Sequence, residues 1–520
     1  MGERVILQGG TIVDEQGMRR ADVAAEGEAI AEVGELEPRP GDRVIDCRGR
    51  LVLPGFVDAH AHVDGVLGGH SVQRSLLRQG VTTAIGGQDG VSYAPGDGAY
   101  ATEYFAAING AHPRYAGGGV AELLAHADGS ARVNAAYLVP AGTVRREVCG
   151  RSAAPASPAQ RAAMARLVEQ GMREGAVGLS TGLDYVPGLF ADADEIAALC
   201  APVAQAGGVY VTHMRGGYEA NSAAGVAEIA RIARATGIRV HISHFHAPVG
   251  VLEEQLDALR RSGVDATFDA YPYTRGCTLL SMPLLPPELA VLPVDEVVAT
   301  LTDAAEQARL RAEWFPRVER HASLGPDWPH MITLAHIPIA AYAWAHGLTL
   351  AAAAERAGSD VIDFVLDLLA AARLQVNVVM AVRHERPLAE LARILAHPAH
   401  VGGSDGIFIG AHPHPRARGT FARYLRELVR ETRAWTWPDA AHHLSAAPAA
   451  RFGLGRRGRV GPGWVADLVV VDPERVADRA TYEAPLQDAV GIDDVLVAGQ
   501  PVLAGGELTG APVGRGLRRA

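Results

Sequence analysis

Residues 51–64 read LVLPGFVDAHAHVD, an apolar run that ends in His60-Ala61-His62. Side chains two residues apart on a strand point to the same face, so Asp58, His60 and His62 should project together from one strand end. Two imidazoles that converge beside a carboxylate form half of a site for a divalent transition metal. This stretch therefore predicts a short buried strand that delivers metal ligands at its carboxyl end.

The middle of the chain alternates such strands with Ala-rich amphipathic helices, for example at 159–174 and 223–236. Eight strands are predicted, at 56–60, 81–86, 132–138, 176–180, 209–213, 239–244, 266–271 and 400–405. This alternation predicts a (β/α)₈ TIM-like barrel, in which chemistry is expected at the carboxyl ends of the strands. Two further segments, 331–336 and 376–382, also have strand character and leave the strand count open.

The two ends of the chain differ from the middle. Residues 1–55 and 455–520 contain short apolar segments separated by Gly-rich turns, which is typical of antiparallel sheets. We expect both termini to form one small β-sandwich domain beside a barrel of residues 56–454. A Pro-bounded helical stretch at 286–330 predicts an insertion over the barrel mouth, and the Arg-rich end at 515–519 is expected to be solvated.

Composition narrows the class of protein. The 520 residues carry a net charge of −11 without a basic stripe, which argues against a nucleic-acid partner. Four cysteines without a C-x-x-C pair do not form a disulfide framework. No apolar run approaches the roughly 18 residues of a membrane span, and no export signal is evident. We expect a cytoplasmic protein with a small-molecule substrate; a homo-oligomer is compatible with the sequence.

Polar residues stand at the predicted strand ends. In chain order these are His60, His62, Asp89, His213, His244, His246 and Asp405. Four of the histidines and two carboxylates are enough for one or two zinc ions with a position left open for water. The spacing of these residues therefore predicts a metal-dependent hydrolase.

Seven motifs resemble, in the same order, those of the amidohydrolase superfamily and within it the N-acyl-D-amino-acid deacylases (D-aminoacylases). They are PGFVDAHAHVD (54–64), EGAVGLSTGLDYVPG (174–188), YVTHMR (210–215), ISHFH (242–246), DAYPYTRG (269–276), GSDG (403–406) and HPRARGTFAR (414–423). The resemblance implies a zinc enzyme that hydrolyses the amide bond of an N-acyl-D-amino acid.

The resemblance also implies a role for each matching position. It implies two groups of metal ligands: His213, His244 and Asp89 around a tightly held ion, and His60, His62 and Asp405 around a weaker neighbouring position. Asp405 would act as general base and then as general acid. Tyr271 would stabilise the oxyanion. Arg416 would hold a substrate carboxylate with its planar fork.

Four positions depart from the family pattern. Asp89 stands where the family has cysteine; a carboxylate is harder than a thiolate and can bridge two ions, which favours a binuclear site, or Mn²⁺ or Co²⁺ in place of zinc. His246 replaces a lysine and weakens the capture of a carboxylate. Cys277 replaces a serine, and Arg275 replaces a small residue and is expected to restore a positive charge. The reaction type is thus better supported than the substrate.

Several alternatives remain open. Asp89 precedes Gly90, which is also ordinary turn chemistry, and His246 is as compatible with packing as with a substrate contact. The altered substrate positions fit a hydantoinase-like hydrolase of cyclic amides or ureides, or an amidohydrolase that acts on an acylated intermediate of specialised metabolism. A non-catalytic barrel scaffold is the alternative from another class, and the cost of burying an unused polar cluster opposes it.

Overall fold

A computed structural model of the chain describes residues 4–321, 323–510 and 512–519. The strands are β1 (Val5–Gln8), β2 (Thr11–Asp14), β3 (Gly17–Arg20), β4 (Asp22–Glu26), β5 (Ala29–Gly34), β6 (Arg43–Asp46), β7 (Leu51–Pro54), β8 (Phe56–Asp58), β9 (Ala61–His62), β10 (Val81–Gly86), β11 (Asn134–Pro140), β12 (Gly178–Gly182), β13 (Val209–His213), β14 (Arg239–Ile242), β15 (Ala266–Asp269), β16 (Gly276–Leu279), β17 (Ile332–His336), β18 (Asn377–Met380), β19 (His400–Val401), β20 (Gly406–Ile407), β21 (Leu468–Val471), β22 (Ile492–Val497), β23 (Gln500–Ala504) and β24 (Glu507–Leu508).

The α-helices are α1 (His70–Arg78), α2 (Ala99–Asn109), α3 (Val120–Ala127), α4 (Ala141–Cys149), α5 (Pro158–Arg173), α6 (Ala193–Gln205), α7 (Ser222–Thr236), α8 (Val249–Arg261), α9 (Ser281–Leu284), α10 (Val294–Thr302), α11 (Ala304–Arg309), α12 (Phe315–Glu319), α13 (Trp328–Met331), α14 (Leu350–Ala357), α15 (Val361–Ala371), α16 (Leu388–Leu395), α17 (Arg416–Arg423), α18 (Trp437–Ala441) and α19 (Ala447–Phe452). Short 3₁₀ and π segments lie at Gln88–Gly90, Gly188–Phe190, Glu219–Asn221, Leu289–Val291, Leu310–Trp314, Ala340–Ala345, Tyr424–Glu431 and His442–Ala446.

Eight parallel strands form one curled sheet in the order β19-β15-β14-β13-β12-β11-β10-β8. These are the eight strands predicted from the sequence, and apart from β19 beside β15 they follow chain order. At the two outer strands, the Ala59 amide donates to the Gly402 carbonyl at 3.0 Å. Parallel neighbours need crossover connections, which the intervening helices supply. The carboxyl ends of all eight strands therefore open towards one side.

The two ambiguous segments are strands outside this sheet. They form β17 and β18, which pair antiparallel with each other, and β16 pairs antiparallel with β18. The stretch 286–330 is mainly helical, as predicted. Its apolar side chains share a hydrophobic core with these strands, and this core extends from Leu280 to Val378.

Strands from both ends of the chain meet in one seven-stranded sheet of order β24-β23-β22-β21-β7-β2-β3. A four-stranded sheet of order β5-β4-β1-β6 packs against it. The contact is made by one hydrophobic cluster, to which Val5 and Leu7 contribute from the four-stranded sheet and Val52 and Leu468 from the seven-stranded sheet. Most neighbouring strands of these sheets are antiparallel, such as β7 and β21. The antiparallel prediction is wrong for two pairs, because β1 and β6 run parallel, as do β2 and β7.

The prediction that the Arg-rich end is solvated is wrong for its backbone, which docks against the rest of the protein. The Leu517 amide donates to the Ala135 carbonyl at 2.7 Å, and the Leu517 side chain is buried. Gly516 allows this docking, because a side chain at that position would clash with the Leu124 carbonyl on α3. The arginine side chains remain largely exposed while the backbone is held.

Among the helices in the described ranges, none is long and apolar enough to cross a membrane. All four cysteines are free thiols, as the sequence predicted.

Candidate metal centre

The carboxyl ends of the strands bring the predicted ligands together in two triads. One triad is His60, His62 and Asp89, the other is Asp89, His213 and His244, and within each the ligand atoms lie within 4.8 Å of one another. Asp89 Oδ1 lies 3.7 Å from His60 Nε2 and 3.8 Å from His244 Nε2. Its Oδ2 lies 3.7 Å from His62 Nε2 and 4.0 Å from His213 Nδ1. Each carboxylate oxygen of Asp89 thus faces one histidine of the pair His60 and His62 and one histidine of the pair His213 and His244.

The donor set fits a divalent metal ion. Four ligands at 2.0–2.1 Å around an ion would stand about 3.3 Å apart, and His213 Nδ1 lies 3.1 Å from His244 Nε2. Within the described ranges, His60 Nε2 and Asp89 Oδ1 are buried and have no hydrogen-bond partner. Unsatisfied buried polar atoms are costly, so these two atoms indicate a bound cation. Imidazole and carboxylate ligands suit zinc, and also manganese or cobalt.

Asp405 lies between this cluster and a buried arginine. Its Oδ1 is 3.2 Å from His62 Nε2 and 3.6 Å from His60 Nε2, and its Oδ2 is 2.9 Å from Arg416 Nη2. Burial disfavours the charge on Asp405, but Arg416 and His60 lower the pKa of its carboxyl to about 2. Asp405 is therefore ionised at neutral pH, which is the protonation state that a general base requires.

The backbone at three of the ligand residues is unusual. Asp89, His244 and Asp405 have φ angles of 54°, 34° and 49°, a left-handed conformation that non-glycine residues seldom adopt. Such strain concentrates at functional sites, where the surrounding structure enforces it. Beside Asp89, Gly90 has φ 72°, and a Cβ there would lie 2.7 Å from the Gly182 amide nitrogen. Close packing of this turn against β12 fixes where Asp89 points.

Residues outside the ligand set orient the first two imidazoles. His62 Nδ1 lies 2.8 Å from Asn109 Oδ1, and His60 Nδ1 lies 3.4 Å from Asp269 Oδ2. Asp269 also accepts a hydrogen bond of 2.8 Å from the His244 amide. Neither partner is predicted by the sequence: Asp269 begins the quoted DAYPYTRG motif, whereas Asn109 ends α2, outside every quoted motif.

The local field around His60 favours a cation. Burial lowers the pKa of the His60 imidazole, but Asp269, Asp405 and Asp89 outweigh this effect and raise it to about 10. Because these three carboxylates converge on one imidazole, a metal ion at this point would offset their mutual repulsion.

The ligand cluster lies at the bottom of a cavity of about 690 Å³. Of the predicted substrate residues, Tyr271, Arg416, His246 and Cys277 line this cavity. The Arg416 guanidinium lies over the Tyr271 ring at 4.6 Å, and the centroids of the Tyr271 and His246 rings are 4.7 Å apart. The Cys277 thiol donates to Asn377 Oδ1 at 3.1 Å.

The structure places Arg275 outside this wall. Its guanidinium lies 4.2 Å from the centroid of the Tyr482 ring, and its Nε is 3.8 Å from Glu385. The charge expected in the substrate pocket is therefore directed to these two side chains. The neighbouring residues Thr274 and Gly276 line the cavity, whereas Arg275 does not.

His246 faces the cavity with an unpaired ring. Burial, followed by the nearby positive charge of Arg386, lowers the pKa of its imidazole to about 3. Both ring nitrogens are buried and lack a hydrogen-bond partner in the part of the chain that the structure describes. Other residues of the cavity wall, which were not predicted from the sequence, include Ile108, Tyr185, Glu219, Met282, Met380, Arg386 and Ile407. Of these only Tyr185 lies in a quoted motif.

Comparison with known proteins gives the same family as the motifs. A model of the amidohydrolase family matches residues 43–503. The chain is 32% identical to the N-acyl-D-glutamate deacylase of Alcaligenes xylosoxydans xylosoxydans over 99% of this chain and 96% of that protein. It is also 32% identical to the D-aminoacylase of the same organism, over 99% and 97%.

A solved structure supports the same assignment. The N-acyl-D-glutamate deacylase of Bordetella bronchiseptica, complexed with zinc and a phosphonate inhibitor, matches with a TM-score of 0.81 and 30% identity over 99% of both chains. The present chain therefore belongs to the amidohydrolase family, among the N-acyl-D-amino-acid deacylases.

Proposed function

We propose that this protein hydrolyses the amide bond of an N-acyl-D-amino acid, using one or two zinc ions held by the two triads. The observation that carries the proposal is Asp89, which two pairs of histidines approach from opposite strands at the bottom of a substrate-sized cavity. The full-length similarity to deacylases supports the substrate class. The zinc in the Bordetella relative supports the choice of metal.

The residues around the triads would divide the work of amide hydrolysis. Zinc bound there would supply a Lewis acid and lower the pKa of a water towards ~7. Asp405 would accept the proton of the attacking water and return it to the leaving amine nitrogen. Burial raises the pKa of the Tyr271 phenol well above its usual value, so this group stays protonated and would donate to the oxyanion. Arg416 would bind the substrate carboxylate.

We further propose that Asp89 would be a ligand at both ion positions. It belongs to both triads, so its single carboxylate would serve the His60–His62 position and the His213–His244 position. A carboxylate is also harder than a thiolate, so Mn²⁺ and Co²⁺ are expected to be accepted alongside zinc. His246 and Cys277 would contact the amine portion of the substrate from the cavity wall.

For the architecture, we propose a closed (β/α)₈ barrel over residues 56–454, with residues 286–330 inserted at its mouth. Residues 1–55 and 455–520 would form a separate β-sandwich. The hydrogen bond between Ala59 and Gly402 supports closure, and the hydrophobic cluster common to the two terminal sheets supports the sandwich. The free thiols are compatible with a cytoplasmic location, and assembly into a homo-oligomer stays a prediction.

The alternatives have weaker support. Hydrolysis of a cyclic amide, or of an acylated intermediate of specialised metabolism, rests on the altered positions 246, 275 and 277, and Arg275 lies outside the cavity wall. A silent scaffold would not need the strained backbone at Asp89, His244 and Asp405.

Amine release from zinc-loaded protein tests the proposal. Matched N-acetyl-D- and N-acetyl-L-amino acids of aliphatic, aromatic and acidic type would be offered, with hydantoins as a second set. We expect turnover of D-substrates alone. Turnover of hydantoins without N-acetyl-D-amino acids would favour the cyclic-amide alternative, and a folded protein that takes up no metal would favour the scaffold.

A further inference from the structure

We propose that Asp184 is a positioning residue that turns the His213 imidazole so that its Nδ1, and not its Nε2, faces the metal position. This inference rests on the metal centre of the proposed function. His60, His62 and His244 approach Asp89 through Nε2, at 3.7 to 3.8 Å. His213 alone of the four approaches it through Nδ1, at 4.0 Å. The opposite ring nitrogen of His213 must therefore have a partner elsewhere.

Asp184 supplies that partner. Its Oδ2 lies 3.3 Å from His213 Nε2. The same carboxylate is held from the other side by backbone amides, because Gly216 N donates to Oδ1 at 2.8 Å and Gly217 N donates to Oδ2 at 3.1 Å. Three donors thus fix the carboxylate, and a fixed carboxylate fixes the ring that donates to it.

The local fold explains why Asp184 lies there. β12 and β13 are parallel neighbours with Gly182 opposite His213. Beyond the end of β12, the Leu183 amide donates to the His213 carbonyl at 3.1 Å. This hydrogen bond keeps the two backbone segments side by side for one more residue. Asp184 therefore follows directly beside the imidazole, and the glycine-rich turn after β13 folds back onto its carboxylate.

The contact selects one tautomer of His213. A carboxylate accepts a hydrogen bond from Nε2–H, which leaves the Nδ1 lone pair free to bind a metal ion. In this orientation Nδ1 lies 3.1 Å from His244 Nε2, close to the separation of two ligands on one ion. Without Asp184 the ring would be free to rotate and to present either nitrogen.

Three of the four histidines have different partners on the ring nitrogen that faces away from Asp89: Asn109 for His62, Asp269 for His60 and Asp184 for His213. Asp269 is fully buried and also holds the His244 amide, so its removal would disturb the sheet. Asp184 is different, because its side chain is 22% exposed and borders a separate small cavity beside Tyr100 and Leu289. Its removal should therefore weaken one metal position without unfolding the protein.

Metal affinity of three variants tests the inference. Asp184→Ala should weaken zinc binding at the His213–His244 position by about 10–100-fold, as expected for loss of a partner of a ligating histidine. Asp184→Asn keeps an oxygen acceptor and should retain most of the affinity. Glu15→Ala removes a carboxylate from a histidine far from the site, His442, and should bind metal like the unmodified protein. Zinc affinity would be measured by competition with a chromophoric chelator, and Co²⁺ absorption would report ligand geometry.

Two results would overturn the inference. One is Asp184→Ala protein that binds zinc as tightly as the unmodified protein. The other is an equal loss in the Ala and Asn variants together with a lower unfolding temperature of the metal-free protein, which would indicate a structural role. Because these readouts are independent of turnover, a protein that binds zinc normally but hydrolyses no N-acyl-D-amino acid would refute the proposed function alone.

Discussion

The Arg416 guanidinium and the Asp405 carboxylate form a buried ion pair, with 2.9 Å between Nη2 and Oδ2. A single charge at this depth would be strongly destabilising, so each group stabilises the ionised form of the other. The guanidinium also lines the substrate cavity, and its N–H groups have no aligned hydrogen-bond acceptor among the described residues. Arg416 is thus placed to keep Asp405, the proposed general base, ionised and, on the proposed function, to receive an anionic part of the substrate.

Asp405→Asn should reduce kcat by about 10²–10⁴-fold, because an amide cannot take up the proton of the attacking water. Metal content should change little, since the substitution preserves shape, whereas the unfolding temperature should fall, because the buried Arg416 loses its partner charge. Steady-state kinetics with parallel metal analysis would check this. Unchanged kcat would remove Asp405 from the proton-transfer role.

Two substitutions separate the roles of Arg416. Arg416→Lys keeps a charge beside Asp405 but loses the planar fork, so we expect KM to rise at least about tenfold with a smaller change in kcat. Arg416→Ala should impair both constants, because it also leaves Asp405 unpaired. The measurement is kcat and KM for one N-acetyl-D-amino acid. A fall in kcat alone in the Lys variant would argue against a substrate contact.

Asp89→Ala should lower metal affinity at both positions, because Asp89 belongs to both triads. Asp89→Cys should retain zinc but bind Mn²⁺ less well, since a thiolate is the softer ligand. Elemental analysis after dialysis against each metal gives the stoichiometry. Unchanged metal content in the Ala variant would show that Asp89 is only a turn residue.

Acidic substrates should be poor ones. Of the two buried arginines in the cavity wall, Arg416 would hold the α-carboxylate of any N-acyl amino acid, and Arg386 is already paired with Glu219. Neither is therefore left for a carboxylate in the substrate side chain. We expect kcat/KM for N-acetyl-D-methionine to exceed that for N-acetyl-D-glutamate by at least about tenfold, a difference of about 1.4 kcal/mol.

Glu219→Gln should reduce the preference for N-acetyl-D-methionine over N-acetyl-D-glutamate. The substitution removes the carboxylate paired with Arg386, so this arginine could bind the substrate's side-chain carboxylate. Glu253→Gln, which removes the partner of the surface residue Arg393, serves as the matched control and should leave the preference unchanged. Equal turnover of both substrates by the unmodified protein would contradict the prediction.

The free energy of unfolding should decrease as the pH is lowered, and His443 should contribute to this decrease. This ring stacks on Trp435, and burial lowers the pKa of its imidazole from 6.5 to about 4. The unfolded chain therefore takes up a proton near pH 6.5 while the folded chain does so only near pH 4. Its contribution to the free energy of unfolding is complete above pH 6.5 and is lost as the pH falls towards 4.

Urea unfolding of His443→Gln at several pH values would check this dependence. The variant should lose less stability than the unmodified protein between pH 6.5 and 4, whereas the exposed control His70→Gln should keep the original slope. An unchanged slope in His443→Gln would assign the acid sensitivity to other groups.

The central sheet and the metal-ligand residue types of the site could be predicted from the sequence alone. Strand period and helix spacing identify the eight parallel strands, and a ligand such as His213 can be located because it ends an apolar strand. Parallel strands present their carboxyl ends on one side, so residues far apart in the chain, such as His60 and Asp405, could be expected to meet.

The contacts that each polar side chain makes depend on the folded chain. Arg275 was expected in the pocket but stacks on Tyr482, and the pairing of Asp184 with His213 depends on a turn whose path no local pattern encodes. Asn109 reaches His62 from the end of a helix outside every motif. Periodicity fixes which residues stand at a strand end, whereas rotamers and long-range packing fix where their polar atoms point, and these are settled only when the whole chain has folded.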